Sequence, residues 1–263
     1  MPFKYRLEQK NNSAEASNAE DKKLIFLHIP KAGGTTLSSV INKNYKAERI
    51  FSLQGTRQAM IDFMRFPAHR IENYDCVQGH MGYGFHRYFA SAAHYITILR
   101  DPVSRLLSLY SYILNTPAHY LHNTLSDMEM SFAEFVQSNI THELQDGQTR
   151  LIASENGLGI TFDTKKKMDE SDLEIAKFHL DEHFIAVGIL ERFDDYLKLL
   201  KLLLGWKDIS YERKNVTQIK MSQAEISAEI IQAIHDNNEI DFALYNYAVE
   251  LFERNFGLID HRK

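Results

Sequence analysis

A lysine, two glycines and two threonines stand together between an apolar run and an amphipathic segment near the beginning of the chain. Residues 24–27 are apolar and predict a buried strand, while Leu37, Val40 and Ile41 recur at helical spacing. Glycines let the backbone approach an anion closely with φ > 0, and the free N–H groups of a helix start favour negative charge. We therefore expect a phosphate-like anion to bind at Lys31, Ala32, Gly33, Gly34, Thr35 and Thr36.

This turn differs from the usual nucleoside-triphosphate loop. In G-x-x-x-x-G-K-[ST] the lysine follows the last glycine, whereas Lys31 precedes both glycines. The anion is therefore expected to be held differently. A tight strand-to-helix turn with nothing bound is the alternative interpretation.

A second strand-to-helix corner carries another set of anion-binding residues. Residues 95–99 predict a strand, Asp101 is suited to cap the following helix, and Pro102 is suited to its first position. Arg100 at the strand end and Ser108 two turns into the helix would together hold one phosphate. An amphipathic helix with closely packed small residues would explain the serines but not Arg100. Because parallel strands end at one edge of a sheet, both corners are expected to face one ligand with phosphates at both ends.

A histidine follows another predicted strand, at residues 74–77. His80 lies in a turn that contains Gly79, Gly82 and Gly84. Histidine accepts a proton readily near neutral pH, so we expect His80 to be a general base. A histidine that only forms hydrogen bonds within its turn is the alternative.

The remaining pattern predicts an α/β fold, with a P-loop-like parallel sheet flanked by helices and a largely helical C-terminal half. Residues 184–189 predict a fourth strand, and residues 193–204 predict a core helix that ends at Gly205. Capping boxes that begin at Ser131, Ser171 and Ser222 predict three helix starts.

Composition limits the class of protein. The 263 residues include 44% hydrophobic and 25% charged residues, which is typical of a globular chain. A net charge of −5 argues against nucleic-acid binding, and the single cysteine excludes an internal disulfide framework. His119 and His122 lack a third ligand nearby, so we expect them on the solvated surface and no metal site.

The ends of the chain and its compartment can also be predicted. Residues 1–21 are polar and lack the apolar region of a secretory signal, so we expect a flexible leader followed by one domain over residues 22–263. No apolar run reaches the ~20 residues of a membrane span. We expect a cytoplasmic protein, and the pattern leaves its oligomeric state open.

Two motifs resemble the cofactor signatures of the sulfotransferases, in the carbohydrate branch that includes heparan sulfate 2-O-sulfotransferase. They are residues 28–37 (HIPKAGGTTL) and Arg100-Asp101-Pro102 with Ser108-Leu109-Tyr110. Later segments are similar in the same order, so the resemblance covers roughly residues 22 to 255. These segments are residues 148–151, residues 187–194, residues 204–206 and residues 213–217.

The resemblance implies sulfuryl transfer from 3′-phosphoadenosine 5′-phosphosulfate (PAPS), which leaves 3′-phosphoadenosine 5′-phosphate (PAP), to an acceptor hydroxyl that is expected on a carbohydrate. It assigns the 5′-phosphosulfate to the Lys31 loop, the 3′-phosphate to Arg100 and Ser108, and the base to His80. Arg213, Lys214 and Asn215 are expected to close over the nucleotide. Gln148 and Arg150 are expected to contact the acceptor. A kinase or nucleotide hydrolase and a non-catalytic nucleotide-binding protein are the alternatives.

Overall fold

The protein is described from a computed structural model. The structure describes residues 23–53, 57–67, 71–138, 140–157, 167–212 and 226–260. The predicted leader at residues 1–21 lies outside these ranges. So do Arg213, Lys214, Asn215 and the capping box predicted from Ser222.

In the described part of the chain, five parallel strands form the central sheet in the order β2-β3-β1-β4-β5. Their bounds are β1 Lys23–Leu27, β2 Ile50–Leu53, β3 Cys76–Gly79, β4 Ala93–Leu99 and β5 Phe184–Ile189. The four predicted strands and the α/β class are confirmed, although β3 begins two residues later than its sequence pattern indicated. The edge strand β2 was not predicted, because it is short and only one of its four residues is buried.

The strand order creates a crevice at the carboxyl end of β1. The chain leaves β1 toward β2 on one side of the sheet and leaves β4 toward β5 on the other. Ligands of open α/β sheets bind where neighbouring connections diverge in this way. The turn after β1 and the turn after β4 therefore lie together at this point.

Ten α-helices are found among the described residues. They are α1 Gly34–Asn44, α2 Arg57–Met64, α3 Pro102–Leu114, α4 His122–Asp127, α5 Phe132–Gln137, α6 Gly147–Ile152, α7 Glu170–Glu182, α8 Phe193–Leu204, α9 Ala228–Asn237 and α10 Glu239–Asp260. The largely helical C-terminal half is thus confirmed, with β5 as its strand. No described helix combines the length and apolar character needed to cross a bilayer.

The observed helix ends can be compared with the ends predicted from local sequence patterns. Asp101 accepts a hydrogen bond from the Ser104 N–H, and Ser131 forms the predicted capping box of α5. Gly205 ends α8 in the left-handed conformation. The box predicted from Ser171 is wrong: α7 starts two residues earlier, because Asp169 caps it and Asp172 completes the box.

Two apolar cores among the described residues hold these elements together. The larger one fills both faces of the sheet, with Phe26 and Ile96 fully buried, and the smaller one joins α3, α4, α5 and α9 around Leu106 and Phe135. Helix α3 thus has one end at the carboxyl edge of β4 and a buried stripe in the second core. That packing fixes the helix that follows Arg100.

Candidate active site

The turn after β1 presents free backbone donors. Lys31 has φ 67° and Gly33 has φ 85°, so the chain winds through left-handed conformations before α1 begins. Among the described residues, no acceptor forms a hydrogen bond with the backbone N–H groups of Lys31, Gly33, Gly34 or Thr35. Consecutive unpaired N–H groups at a helix start form a concave site for an anion.

Gly33 and Gly34 are each required in the turn for a different physical reason. Gly33 takes the positive φ that the sequence predicted, whereas Gly34 does not. A Cβ atom at Gly34 would lie 2.0 Å from the His28 ring, so this glycine makes room for a histidine. The expectation that both glycines serve the anion with φ > 0 therefore holds only for Gly33.

The Lys31 side chain is half-buried beside an aromatic ring. Its Nζ lies 3.6 Å from the centre of the Tyr112 ring on α3. Burial, and then the positive charge of Arg100, lower the pKa of Lys31 to about 8, while Glu143 opposes this shift. Lys31 is therefore a cation whose charge depends on pH just above neutrality, and an anion at the turn would favour the charged form.

The two predicted corners meet through Arg100. Its guanidinium donates from Nη1 to the Lys31 carbonyl oxygen at 3.1 Å, and burial lowers its pKa. The half-buried Ser108 lies two turns into α3, and its hydroxyl makes no hydrogen bond to any described residue. The parallel sheet thus brings Lys31 and Arg100 together at one edge. The joint phosphate site of Arg100 and Ser108 stays a prediction.

Gln148 holds the main chain of Arg100 from both sides. Its Oε1 accepts from the Arg100 N–H at 3.0 Å, and its Nε2 donates to the Arg100 carbonyl oxygen at 2.9 Å. The side chain is fully buried. We call these two hydrogen bonds of Gln148 to the Arg100 main chain the clamp on Arg100. We infer a positioning role for Gln148, which differs from the acceptor contact expected from the sequence.

Asp241, a buried carboxylate on α10, holds the segment that carries Gln148. Asp241 accepts from the N–H groups of Gln148 and Thr149 at 3.0 and 2.7 Å, and it lies 3.8 Å from Arg105 of α3. It therefore joins the start of α6 to α3 and α10. Arg150, on the same short helix, is 3% exposed and donates from Nε to the Gln145 carbonyl oxygen.

His80 is positioned by the neighbouring strand. The register pairs Leu27 with Gly79, so His28 and His80 follow side by side. The Nδ1 atom of His80 lies 2.9 Å from the His28 carbonyl oxygen, and the two rings are 4.3 Å apart. A carbonyl oxygen can only accept, so Nδ1 carries the proton and Nε2 is left with a lone pair. This tautomer is the one that a general base requires.

The His28 ring is the main feature of the site that the sequence analysis missed. It stacks on Phe26 at 5.3 Å and packs against His80. Burial, and then the charges of His80 and Lys31, hold its pKa well below the ordinary value, so it stays neutral. Its place at a strand end, like that of His80, was the signal available in the sequence.

His119 and His122 both contact backbone groups near the end of α3 and the start of α4. His119 and His122 are half-buried, which corrects the expected solvated surface. The His119 Nδ1 accepts from the Leu121 N–H at 3.2 Å, and the His122 Nδ1 lies 2.9 Å from the Ile113 carbonyl oxygen. Within the described ranges, no cluster of three His, Cys, Asp or Glu residues is arranged to hold a metal ion.

The fold and site define an α/β protein with two basic side chains and, in the part of the chain that the structure describes, unpaired backbone N–H groups at the switch point of a parallel sheet, an arrangement suited to an anionic ligand. A family model described as "Sulfotransferase family" matches residues 15–248. The chain therefore belongs to the sulfotransferase family.

Several curated relatives are similar to this chain. Human uronyl 2-sulfotransferase is 25% identical over 194 residues, which cover 67% of this chain and 48% of that protein. Human heparan-sulfate 6-O-sulfotransferase 3 is 27% identical, with coverage of 89% and 58%. Bovine galactose-3-O-sulfotransferase 3 is 28% identical, with coverage of 61% and 38%. The chain thus spans about half the length of the first two relatives.

A solved structure is also similar, although distantly. The crystal structure of a mouse sulfotransferase complexed with PAP aligns at a TM-score of 0.38 and 15% identity. The alignment covers 83% of this chain and 65% of that chain. This likeness is too weak to add to the family assignment.

Proposed function

We propose that this protein transfers a sulfuryl group from PAPS to a hydroxyl of a carbohydrate acceptor. The observation that carries the proposal is the contact of Arg100 with the Lys31 carbonyl oxygen, which joins two anion-binding corners into one site. Family membership supports the reaction. The names of the relatives, which specify uronyl, heparan-sulfate and galactose acceptors, support a sugar hydroxyl.

The residues of the site fit the donor nucleotide. The free N–H groups of the turn and the Lys31 ammonium match a 5′-phosphosulfate, which needs several donors around clustered oxygens. Arg100 and the free hydroxyl of Ser108 match a separate 3′-phosphate. Thr35 and Thr36 stand at the start of α1, where their hydroxyls add donors. The roles proposed for Arg213, Lys214 and Asn215 stay predictions from the sequence.

The chain would contribute a base and a cation to the reaction. PAPS, when bound, supplies the sulfuryl group. As the acceptor oxygen bonds to sulfur, the bond from sulfur to the bridging phosphate oxygen breaks, and PAP departs with the electron pair. His80 takes the hydroxyl proton on Nε2, and its Nδ1–H remains bonded to the His28 carbonyl oxygen. Lys31 and the turn stabilise the charge that grows on the leaving phosphate.

Two measurements separate this function from the alternatives. Transfer of labelled sulfate from PAPS should proceed in EDTA, whereas a kinase or nucleotide hydrolase of the phosphate-loop class needs Mg²⁺. In a thermal-shift titration PAP at about 100 times its Kd should stabilise the protein by about 2.7 kcal/mol relative to the ligand-free protein, and ATP at the same concentration should stabilise it less. Binding of PAP without transfer to any acceptor would favour a non-catalytic nucleotide-binding protein. A preference for ATP would contradict the proposal.

The cytoplasmic location is part of the proposal and rests on the sequence alone. Fractionation of the cells that make this protein, followed by immunoblotting, would test it. Recovery in a membrane or exported fraction would contradict it.

A further inference from the structure

Three aromatic rings extend in succession from the Lys31 side chain. The Tyr112 ring lies under the Lys31 ammonium, and His119 approaches its edge with ring centres 5.7 Å apart. Tyr120 then stacks on His119 at 4.7 Å. We call Tyr112, His119 and Tyr120 the aromatic shelf.

The shelf is exposed and yet fixed in place. Tyr112 is 37% exposed and Tyr120 is 68% exposed, so two of the five exposed large hydrophobic side chains among the described residues lie here. The Tyr120 hydroxyl donates to Thr141 Oγ1 at 3.1 Å, and His119 is held by the Leu121 N–H. Rings that are fixed before a ligand arrives lose little conformational entropy on binding. Exposed aromatic rings that are held in place beside a half-buried lysine indicate a binding surface.

A carboxylate borders the shelf. Glu143 donates its N–H to Thr141 Oγ1 at 3.4 Å, so it shares a partner with Tyr120, and its carbonyl oxygen accepts from Arg105 at 2.7 Å. Its buried Oε2 has no hydrogen-bond partner among the described residues. Burial lowers the pKa of His119 and the charge of Glu143 opposes that shift, so the carboxylate lies within electrostatic reach of the shelf. Glu143 as a whole is only half-buried, and a carboxylate accepts hydrogen bonds from donors and repels anions.

We propose that the aromatic shelf and Glu143 form the acceptor subsite and bind an uncharged sugar ring. The C–H face of a pyranose would stack on the exposed Tyr120 ring, with Tyr112 beside it, and one of its hydroxyls would donate to Glu143. A carboxylate or sulfate on that ring would face Glu143 and be disfavoured. A lipid chain would stack on the rings but leave the carboxylate without a donor. This inference rests on the proposed function, because the shelf begins at Lys31.

The experiment uses the full chain, labelled PAPS and oligosaccharides of known charge. The neutral probes are lactose, N-acetyllactosamine and maltotetraose, and the acidic probes are heparosan and chondroitin oligosaccharides. Tyr120→Ala should raise the acceptor KM for the best neutral probe by about 3- to 10-fold, the scale of an aromatic stacking contact. Tyr120→Phe, which keeps the ring, should change KM much less. The affinity for PAP should be unchanged in both variants.

The matched control is Phe178→Ala. Phe178 is 58% exposed and packs near His183, which immediately precedes β5 and so lies at the opposite edge of the sheet. It should leave the acceptor KM unchanged. Glu143→Gln should raise KM for the neutral probe and narrow the difference between neutral and acidic probes, since the repelling charge is gone.

The outcomes distinguish a failure of the acceptor subsite from a failure of the proposed sulfotransferase function. The subsite is overturned if Tyr120→Ala affects KM no more than Phe178→Ala does, or if wild-type protein prefers acidic probes. It is also overturned if PAP binds but no neutral probe accepts sulfate. A wild-type protein that neither binds PAP nor transfers sulfate overturns the proposed function, and this subsite with it.

Discussion

The Nδ1 atom of His80 and the carbonyl oxygen of His28 are 2.9 Å apart, and this contact decides which ring nitrogen can accept a proton. The bond fixes the Nδ1–H tautomer before substrate binds. It also leaves a carbonyl dipole to stabilise the imidazolium that forms as the acceptor loses its proton. His80 is therefore prepared for proton transfer by a backbone group on the neighbouring strand.

We predict that His80→Ala lowers the rate of sulfate transfer by about 10²- to 10⁴-fold, the range for loss of a general base. The affinity for PAP, measured by calorimetry, should stay unchanged because the proposal assigns His80 to the acceptor hydroxyl and not to the nucleotide. His122→Ala is the matched control, since His122 makes the same kind of bond to the Ile113 carbonyl oxygen. Full activity of His80→Ala would show that another group is the base.

We predict that Lys31→Ala lowers turnover by about 10²- to 10³-fold, as expected for loss of a donor to a developing charge. The ammonium would act on the leaving phosphate, so kcat should fall more than the KM for PAPS rises. Steady-state kinetics separate the two parameters. An effect confined to KM would mean that Lys31 binds ground state and transition state equally.

The lowered pKa of Lys31 predicts a pH dependence of nucleotide binding. The free protein loses the charge of Lys31 as pH rises through about 8, and a bound anion favours the protonated form. Binding therefore takes up a proton above that pH, so the affinity for PAP should be constant near pH 7 and fall toward pH 9.5. Lys31→Arg keeps its charge throughout this range and should flatten the profile. A flat wild-type profile would contradict this role of Lys31.

The clamp on Arg100 predicts that a buried residue tunes nucleotide affinity. Arg100→Ala should weaken PAP binding by about 1.5 to 3 kcal/mol, the value of a hydrogen bond to a charged group. Gln148→Ala should weaken PAP binding less than Arg100→Ala does. The Arg100 guanidinium remains in this variant, but Gln148 no longer holds the Arg100 main chain. Arg254→Ala is the control, since that exposed arginine pairs with Asp181 on another surface. Equal PAP affinity in wild type and Arg100→Ala would remove Arg100 from the site.

The buried carboxylate of Asp146 predicts how the free energy of unfolding depends on pH. Burial, and then the charge of Asp241, raise the pKa of Asp146 to about 7. The native state therefore binds more protons than the unfolded state between about pH 4 and 7, and this group lowers stability as pH rises through that window. Asp146→Asn should stabilise the protein by about 1 to 3 kcal/mol at pH 8 and have little effect at pH 4. Urea unfolding at the two pH values measures the difference, and a constant offset would contradict the assignment.

Local signals predicted most elements because their causes are local. The apolar runs of β1, β4 and β5 are buried on both faces, and Asp101 and Ser131 cap helices through bonds within four residues. The edge strand β2 lacks a continuous apolar pattern, and α7 is capped by Asp169, two residues before the Ser171 that the sequence pattern indicated. Gln148 could not be interpreted from its neighbours, because its partners lie 48 and 93 positions away.

The sequence by itself determined that Lys31, Arg100 and His80 each follow a strand, and parallel strands end at one edge. Only the tertiary structure decided the strand order and register, and these bring His28 beside His80 and the Arg100 guanidinium to the Lys31 carbonyl oxygen. The physical reason is that hydrophobic periodicity fixes which face of an element is buried. Pairing between distant strands and the packing of α3 over Lys31 depend on contacts that no local pattern encodes.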